Sequence, residues 1–523
     1  MALKDELHIG DKMSDQKLNN ESTQIELINN QQQDEPFIMV IFGGSGDLAK
    51  RKLVPAIYNL LHGNCLQAPF AIMGVSRSMS SVDNFRDSHR ESVSKHSRSQ
   101  PIDDEMLNRL SNSLFCMSGD VYKEETYIDL KEQLEKIDRE LGTKGNRIFY
   151  FSTPPSVFST IITNLAKAGL IQKHNPGSDL PWSRIIVEKP FGRDLSSARH
   201  LNQTIMEIMN ENQVFRIDHY LGKETVQNLL VFRFGNTIFE PLWNRKYVDH
   251  VQITALEDID IQGRGNFYND TGVFRDVVQN HLLELLSLCA MEAPVTFQAD
   301  DIRDQKHQLL RSIRPITGAS IKTNVVCGQY AGYLNEAGIP AESRTPTFAA
   351  MKVMIDNWRW QGTPFYLRAG KAMQSRSTEI AIHYKTIPFC LFGREEVCQM
   401  IDPNVLLIRI QPDEGISMRF VCKEPGDSLS IGNVNMNFQY AAGFEKQSAE
   451  AYEKLLLDCA RGEQTLFARK DSIEKAWELI DPILHSIESD PSLPMSPYEK
   501  GSNGPRESAA LLAQDNRCWY ETK

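Results

Sequence analysis

Apolar positions in the first 210 residues form short strand-like runs separated by longer segments with helical spacing. The strand candidates are FIMVIF (37–42), FAIMGV (70–75), LFCMSG (114–119), RIFYFS (147–152) and RIIVEK (184–189). The intervening helical patterns cover 47–63, 124–141, 156–169 and 194–212. Because alternating strands and helices pair in parallel through right-handed crossovers, the pattern predicts an α/β, doubly wound, Rossmann-like domain over residues 36–212.

The pattern changes in the second half of the chain. One long helix fits residues 272–291, followed by strand candidates at 347–356, 378–385, 404–411, 416–423 and 433–440 and helices at 447–461 and 470–486. Runs of strands followed by helices predict an α+β domain with a large, mainly antiparallel sheet over 213–523. No linker rich in Pro, Gly or Ser separates the halves, so we expect an extensive interface.

The first 35 residues differ from both halves. They are rich in Asn, Gln and charged residues and end in NNQQQDE, which Pro36 follows. Such a segment buries too little apolar surface to offset the entropy cost of ordering, so 1–35 is predicted to be a disordered tail.

Composition narrows the function classes. No apolar run approaches the ~20 residues of a membrane span and no apolar signal segment begins the chain, so we expect a cytoplasmic protein without a membrane partner. The net charge of −11 disfavours a nucleic-acid partner. The nine cysteines include no C-x-x-C pair, which argues against a zinc site or a disulfide framework, and no metal is expected.

A glycine-rich turn follows the first strand in FIMVIFGGSGDLAKRK. Glycine lets the backbone approach a pyrophosphate, and the next helix offers free N–H groups. A plain strand–helix turn is the alternative, but the strand–turn–helix context favours dinucleotide binding. The candidate cofactor-binding residues here are Gly43, Ser45, Gly46, Asp47 and Leu48.

The second strand ends in GVSRS, which places Arg77 near the position where NAD-preferring sites carry an acidic residue. An arginine there would pair with the 2′-phosphate of NADP. A solvated surface arginine is the alternative.

Three further stretches carry candidate chemistry. EKPFG places Lys189 at the carboxyl end of a strand, where open α/β sheets bind ligands, and Pro190 could be cis and aim that lysine. In FRIDHYLGKE (215–224), a helix starting at 219 would put His219 and Lys223 on one face, flanking Tyr220. Such a set suits a phosphate dianion, whereas an ion pair with a helix cap is the alternative.

The predicted helix 272–291 carries His281 and Asp276. Five positions on an α-helix are ~140° apart, so Asp276 is poorly placed to orient His281, and Asp218 is the candidate instead. The pair would make His281 a general base, whereas a buried core histidine is the alternative.

GGSGDLAKRK, EKPFG, RIDHYLGKE and RDVVQNHLLE together resemble the glucose-6-phosphate dehydrogenase family, over nearly the whole chain after the tail. The resemblance implies oxidation of glucose 6-phosphate at C1 with NADP, the first step of the oxidative pentose phosphate pathway. His281 would be the base and Asp218 its orienting carboxylate. The substrate-binding residues implied are Lys189, His219, Tyr220, Lys223, Glu257, Asp276, Lys371 and Gln411, with Lys189 also touching the cofactor.

The resemblance also implies a homodimer or homotetramer built through the second sheet. The end of the chain, AQDNRCWYETK, looks short for the second, structural NADP site of some animal members, so that site is not expected. A sugar dehydrogenase of the glucose-fructose oxidoreductase type and a non-catalytic NADP-sensing regulator remain as alternatives.

Overall fold

A computed structural model describes residues 34–79, 81–174, 181–389, 391, 401–427, 430–440 and 449–521. The predicted disordered tail, 1–35, lies outside the described residues except for its last two.

The first sheet has seven strands among the described residues. They are β1 (Phe37–Phe42), β2 (Phe70–Ser76), β3 (Leu114–Ser118), β4 (Arg147–Phe151), β5 (Ser183–Val187), β6 (Val214–Ile217) and the short strand Phe467–Ala468. The order is Phe467–Ala468, then β6, β5, β4, β1, β2 and β3, and all neighbours are parallel except the short edge strand. Both faces of this sheet are covered, which explains why its inner strands read as continuous apolar runs.

Helices from both ends of the chain cover this sheet. They are Val54–His62 with the preceding π-helical turn Ala49–Leu53, Val82–His96, Asp104–Asn112, Glu124–Leu141, Phe158–Lys167, Leu195–Ile208, Ala451–Arg461 and Lys470–Ser489. The last two pack against Val54–His62 and Leu195–Ile208, respectively. The predicted Rossmann-like layer is confirmed, and it extends past residue 212, where the sequence pattern predicts its end.

The second sheet has nine strands among the described residues. They are β7 (Val248–Leu256), β8 (Val325–Tyr330), β9 (Phe348–Met354), β10 (Pro364–Gly370), β11 (Ser377–Tyr384), β12 (Val405–Gln411), β13 (Gly415–Lys423), β14 (Ile431–Gln439) and Met495–Tyr498. The order is β14, β13, β12, β11, β7, β10, β9, β8 and Met495–Tyr498. Its pairs are antiparallel except β7 with β10 and β8 with Met495–Tyr498, so the predicted mainly antiparallel sheet is confirmed.

The remaining helices connect the two sheets or flank the second one. They are Glu224–Phe234, Gly265–Val273, Leu283–Ala290, Ala299–Ser312, Ala319–Asn324 and Arg506–Ala513. None of the helices in the described ranges combines the length and the apolarity needed to cross a membrane.

The helix predicted over 272–291 is continuous but not uniform. Residues Phe274–Leu282 form a π-helix, which runs into the α-helix Leu283–Ala290. The π-helix packs against β7, β10 and the helix Lys470–Ser489. Its central residues therefore lie between the two sheets.

Candidate active site

The carboxyl ends of the parallel strands meet at one edge of the first sheet. Asp218 directly follows β6, and Lys189 lies two residues after β5 on the neighbouring strand. The glycine turn follows β1 at the same edge. This is the edge at which doubly wound sheets bind ligands.

The second sheet supplies the opposite wall. Strands β7 and β10 run parallel, with Leu256 opposite Gly370, so the residues that follow them, Glu257 and Lys371, are neighbours. Nζ of Lys371 lies 2.6 Å from Oε2 of Glu257 and 3.4 Å from Oδ2 of Asp276.

A cleft of about 730 Å³ lies between these walls. Its lining includes His281 and all eight predicted substrate-binding residues: Lys189, His219, Tyr220, Lys223, Glu257, Asp276, Lys371 and Gln411. Asp218 lies behind His281 and is buried. The folded chain thus brings together residues that span more than two hundred positions.

His281 lines the cleft and forms a close pair with the buried Asp218 behind it. Nδ1 of His281 lies 2.5 Å from Oδ1 of Asp218, and Nζ of Lys189 lies 2.8 Å from Nε2 of His281. A lysine ammonium can only donate, so Nε2 accepts and the ring proton resides on Nδ1, facing Asp218. The ring therefore presents its acceptor nitrogen to the cleft, which is the tautomer that a general base requires.

Burial shapes the charges of this pair and its neighbours. It lowers the pKa of His281 well below the ordinary value, and Lys189 lowers it further while Asp276 opposes both. Burial disfavours the charged form of Asp276, but Lys189 and Lys371 outweigh this effect and hold its pKa below the ordinary value. At neutral pH the site thus has a neutral imidazole beside an ionised Asp276.

The sequence expectation about Asp276 is wrong in one respect. It assumes α-helical spacing, which puts Asp276 and His281 on different sides, whereas both residues lie in the π-helix Phe274–Leu282. A π-helix bonds residue i to i+5, so residues five apart lie on one face. Lys189 contacts both, at 2.8 Å from Nε2 of His281 and 3.3 Å from Oδ1 of Asp276. Asp218 nevertheless remains the residue that orients His281.

The sequence-based assumption that a helix starts at residue 219 is also wrong. Residues 219–222 form turns, Lys223 is the N-cap, and the helix begins at Glu224. Oδ1 of Asp218 accepts from the backbone N–H of Tyr220 at 2.9 Å, a local bond that competes with helix formation. His219, Tyr220 and Lys223 therefore reach the cleft from a turn rather than from one helical face.

A cationic pocket surrounds the amide of Gln411. Oε1 of Gln411 accepts from Nζ of Lys223 at 2.8 Å and from Nη2 of Arg376 at 3.2 Å. Its Nε2 donates to the hydroxyl of Tyr220 at 3.2 Å. Burial lowers the pKa of Lys223, and the positive charges of Arg376 and Lys52 add to this effect. Two cations that share one neutral oxygen are arranged to receive an anion.

Sequence reasoning missed Arg376 and Tyr452 in this cleft. Arg376 directly precedes β11, and it lies close to Gln411 because β11 pairs with β12. The hydroxyl of Tyr452 donates to Oε1 of Glu188 at 3.0 Å, and its ring lies nearly parallel to that of His219 at 6.5 Å. No local motif marks Tyr452, because its partner is 264 positions away.

Glu188 lies next to Lys189 and the cis Lys189–Pro190 bond. It also accepts from the hydroxyl of Tyr150 at 2.5 Å, and burial raises its pKa. These contacts hold the end of β5 against the helix Ala451–Arg461.

The side-chain ligand atoms of Asp218, His219 and His281 lie within 4.8 Å of one another. A metal ion would have to displace the Nδ1–H bond to Asp218 and the contact of Lys189 with Nε2. The arrangement is therefore better suited to moving a proton than to holding a cation, and the expectation of no resident metal stays a prediction.

The glycine turn fits a dinucleotide. Gly43 has φ +87°, and a Cβ atom there would lie 2.2 Å from the carbonyl oxygen of Ser152, so only glycine is accommodated. The hydroxyls of Ser45 and Ser76 lie 2.8 Å apart, which joins the turn to the end of β2. Arg77 comes next and is exposed. Gly46 closes the turn through its N–H, 2.8 Å from the carbonyl oxygen of Gly43.

Comparison with known families assigns both halves of the chain. Residues 40–228 match "Glucose-6-phosphate dehydrogenase, NAD binding domain", and residues 230–520 match "Glucose-6-phosphate dehydrogenase, C-terminal domain". The chain belongs to the glucose-6-phosphate dehydrogenase family.

Relatives of this family match along most of the chain. The glucose-6-phosphate 1-dehydrogenase of Chlamydia pneumoniae is 45% identical over 495 residues, covering 92% of this chain and 96% of the relative. The crystal structure of glucose-6-phosphate 1-dehydrogenase from Mycobacterium avium matches with a TM-score of 0.78 and 34% identity, over 93% of this chain and 99% of that one. A glucose-6-phosphate dehydrogenase in complex with its substrate matches with a TM-score of 0.84 and 33% identity, over the same shares.

Proposed function

We propose that this member of the glucose-6-phosphate dehydrogenase family oxidises the C1 hydroxyl of glucose 6-phosphate to the 1,5-lactone, with His281 as the general base. The observation that carries the assignment of the base is the His281–Asp218 pair at the sheet edge that also bears the glycine turn.

The reaction divides into a proton and a hydride transfer. Nε2 of His281 takes the proton of the C1 hydroxyl, the C1–H bond breaks, and the C1–O bond becomes a carbonyl. Asp218 accepts the Nδ1–H throughout and stabilises the imidazolium that forms. A bound nicotinamide dinucleotide supplies the hydride acceptor.

Lys189 is placed to contact the reacting oxygen. Its Nζ lies 2.8 Å from Nε2 of His281 in the substrate-free cleft. When the C1 hydroxyl takes this place at Nε2, the ammonium stays close to the developing negative charge on the oxygen. Glu257, Asp276 and Lys371 form the ion-paired wall that would hydrogen-bond the sugar hydroxyls.

The phosphate group would bind where Lys223 and Arg376 converge. Its oxygens replace Oε1 of Gln411 as acceptors for both cations, with His219 and Tyr220 beside them. Each charge-assisted hydrogen bond contributes roughly 1.5–3 kcal/mol. This pocket distinguishes a sugar phosphate from the free sugar.

The family assignment implies a nicotinamide dinucleotide, and we propose NADP as the preferred form. Arg77 follows Ser76, whose hydroxyl contacts Ser45 of the glycine turn. A guanidinium in this place would bind a 2′-phosphate, whereas an acidic residue would repel it. The homo-oligomeric state and the cytoplasmic location stay predictions.

One absorbance assay at 340 nm tests the proposal. The full-length chain is incubated with NADP or NAD and with glucose 6-phosphate or glucose. We expect reduction with glucose 6-phosphate and NADP at a kcat/KM at least ~10²-fold above that with glucose. Equal rates on both sugars would contradict the phosphate pocket, and no reduction with any pair would contradict the enzymatic assignment.

A further inference from the structure

One face of the helix Val82–His96 packs against the glycine turn, β2 and the π-helical turn Ala49–Leu53. Phe85, His89 and Ser92 are spaced by four and three residues, so they lie on one side of this helix. All three side chains are buried. Polar residues within a buried stripe need partners, and here the partners are backbone groups of the turn region.

Each of the three residues holds a different part of the turn region. The ring of Phe85 lies against Gly74 of β2, where an added Cβ would come within 2.6 Å of Cζ. Nε2 of His89 lies 3.2 Å from the carbonyl oxygen of Gly44, and Oγ of Ser92 donates to the carbonyl oxygen of Lys50 at 2.5 Å. The helix thus clamps the turn and the first helical residues after it.

The protonation state of His89 follows from its partner. A carbonyl oxygen can only accept, so the ring proton resides on Nε2. Burial lowers the pKa of His89 to about 4, partly offset by the Gly44 carbonyl and reinforced by Lys50. The ring is therefore a neutral donor at physiological pH. The rings of Phe85 and His89 are nearly perpendicular, and their centroids lie 4.4 Å apart.

This bond constrains the next amide of the turn. The peptide group is planar and trans, so the carbonyl of Gly44 and the N–H of Ser45 point in opposite directions. With the carbonyl held towards His89, the N–H of Ser45 points away from the helix. Donors that already face an anion need no reorganisation when it binds.

We infer that His89 is a positioning residue for the dinucleotide: its Nε2–H holds the Gly44 carbonyl so that the Ser45 N–H faces the pyrophosphate. The inference rests on the proposed assignment of the glycine turn to cofactor binding. It adds a residue of the helix Val82–His96, which lies outside the glycine-turn motif, to the cofactor site.

Paired variants separate the hydrogen bond from the ring packing. His89→Gln keeps an N–H donor of similar reach, whereas His89→Met keeps a similar volume without a donor. The readouts are the Kd of NADP from fluorescence titration of the full-length protein, the KM for glucose 6-phosphate, and the Tm without dinucleotide. Ser94→Ala, on the exposed side of the same helix, is the control.

We expect His89→Met to raise the Kd of NADP about five- to tenfold and leave the KM for glucose 6-phosphate within about twofold. His89→Gln and Ser94→Ala should stay within about twofold of the wild-type Kd. Equal increases for Gln and Met would overturn the inference, and so would a lower Tm without a change in Kd. Should His89→Met fail to fold, His89→Asn, which is too short to reach Gly44, replaces it in the same comparison.

If the glycine turn does not bind the cofactor, the binding measurements would give a different result. If Arg77→Ala and Ser45→Pro leave the Kd of NADP unchanged, the turn itself is not the cofactor site. If they weaken binding while His89→Met does not, only the role of His89 is wrong.

Discussion

Nδ1 of His281 lies 2.5 Å from Oδ1 of Asp218, although 63 positions separate the two residues. His281 is on a π-helix between the sheets, and Asp218 directly follows β6, a parallel strand of the first sheet. Their contact orients the ring of His281, as the proposed role of a general base requires. The catalytic prediction depends on this distance.

We expect His281→Asn to lower kcat by at least ~10²-fold with little change in the KM for glucose 6-phosphate. Asparagine retains a hydrogen-bonding side chain but cannot accept the proton. Steady-state kinetics measure the effect, with His485→Asn, on the exposed side of the helix Lys470–Ser489, as the control. A variant with near-normal turnover would remove His281 from the mechanism.

The pH dependence of kcat/KM tests the electrostatics of the base. Burial and Lys189 lower the pKa of His281, so activity should be lost as pH falls through a value below ~6.5. Lys189→Met removes one of these causes and should move this acid limb to higher pH, whatever its effect on kcat. Lys167→Met, at an exposed ion pair, should leave the limb in place. A shift to lower pH for Lys189→Met would contradict the arrangement.

Lys223→Ala should raise the KM for glucose 6-phosphate about tenfold or more, because it removes a charged donor from the proposed phosphate pocket. Arg376→Ala should act in the same direction. Lys136→Ala, on an exposed helix surface, serves as the control. An unchanged KM for the sugar phosphate, together with a raised KM for the cofactor, would move these residues to another site.

Arg77→Ala should weaken NADP about ten- to a hundredfold and leave NAD nearly unchanged, because only NADP carries the 2′-phosphate that the guanidinium would bind. Separate KM values for the two cofactors measure the change in preference. The exposed Arg139→Ala is the matched control. Equal weakening of both cofactors would indicate a general effect on the fold of the turn.

The stability of the protein should fall on acidification between pH ~6.5 and ~4, in part because of His89. Its pKa is about 4 in the folded chain and 6.5 in an unfolded one, so the unfolded state binds more protons in this window. The stabilisation is present above pH ~6.5, and up to roughly 3 kcal/mol is lost by pH ~4. Denaturant unfolding at several pH values should show a smaller loss for His89→Gln than for the wild type. His96→Gln, exposed on the same helix, should follow the wild type.

Much of the first sheet is predictable because its strands are buried on both faces. β1, β2 and β4 read as continuous apolar runs bounded by turn residues. Their predicted bounds agree with the observed bounds within one residue. Val82–His96 escapes prediction because Val82, Phe85 and Val93 are its only apolar residues, too few to form a helical pattern. Apolar spacing also cannot distinguish a π-helix from an α-helix, which explains the expectation about Asp276.

The residues of the candidate site also divide into those that the sequence locates and those that it does not. Lys189 and the glycine turn can be located from sequence because they lie at the ends of predicted strands, and Asp218 can be located from its place in FRIDHYLGKE. Arg376, Tyr452 and His89 cannot, because their signals are contacts with residues far away along the chain. Tyr452 meets Glu188 only where the C-terminal helices return to cover the first sheet.

The sequence alone determined the alternation of strands and helices in the first domain, the turn that bends only with glycine, and the residue types available at each strand end. Strand pairing then placed those ends on one edge. The tertiary structure decided which side chains meet there, and it selected the π-helix, the tautomer of His281 and the carbonyl that His89 holds. Local propensities act over a few residues, whereas burial and hydrogen-bond pairing depend on the whole folded chain.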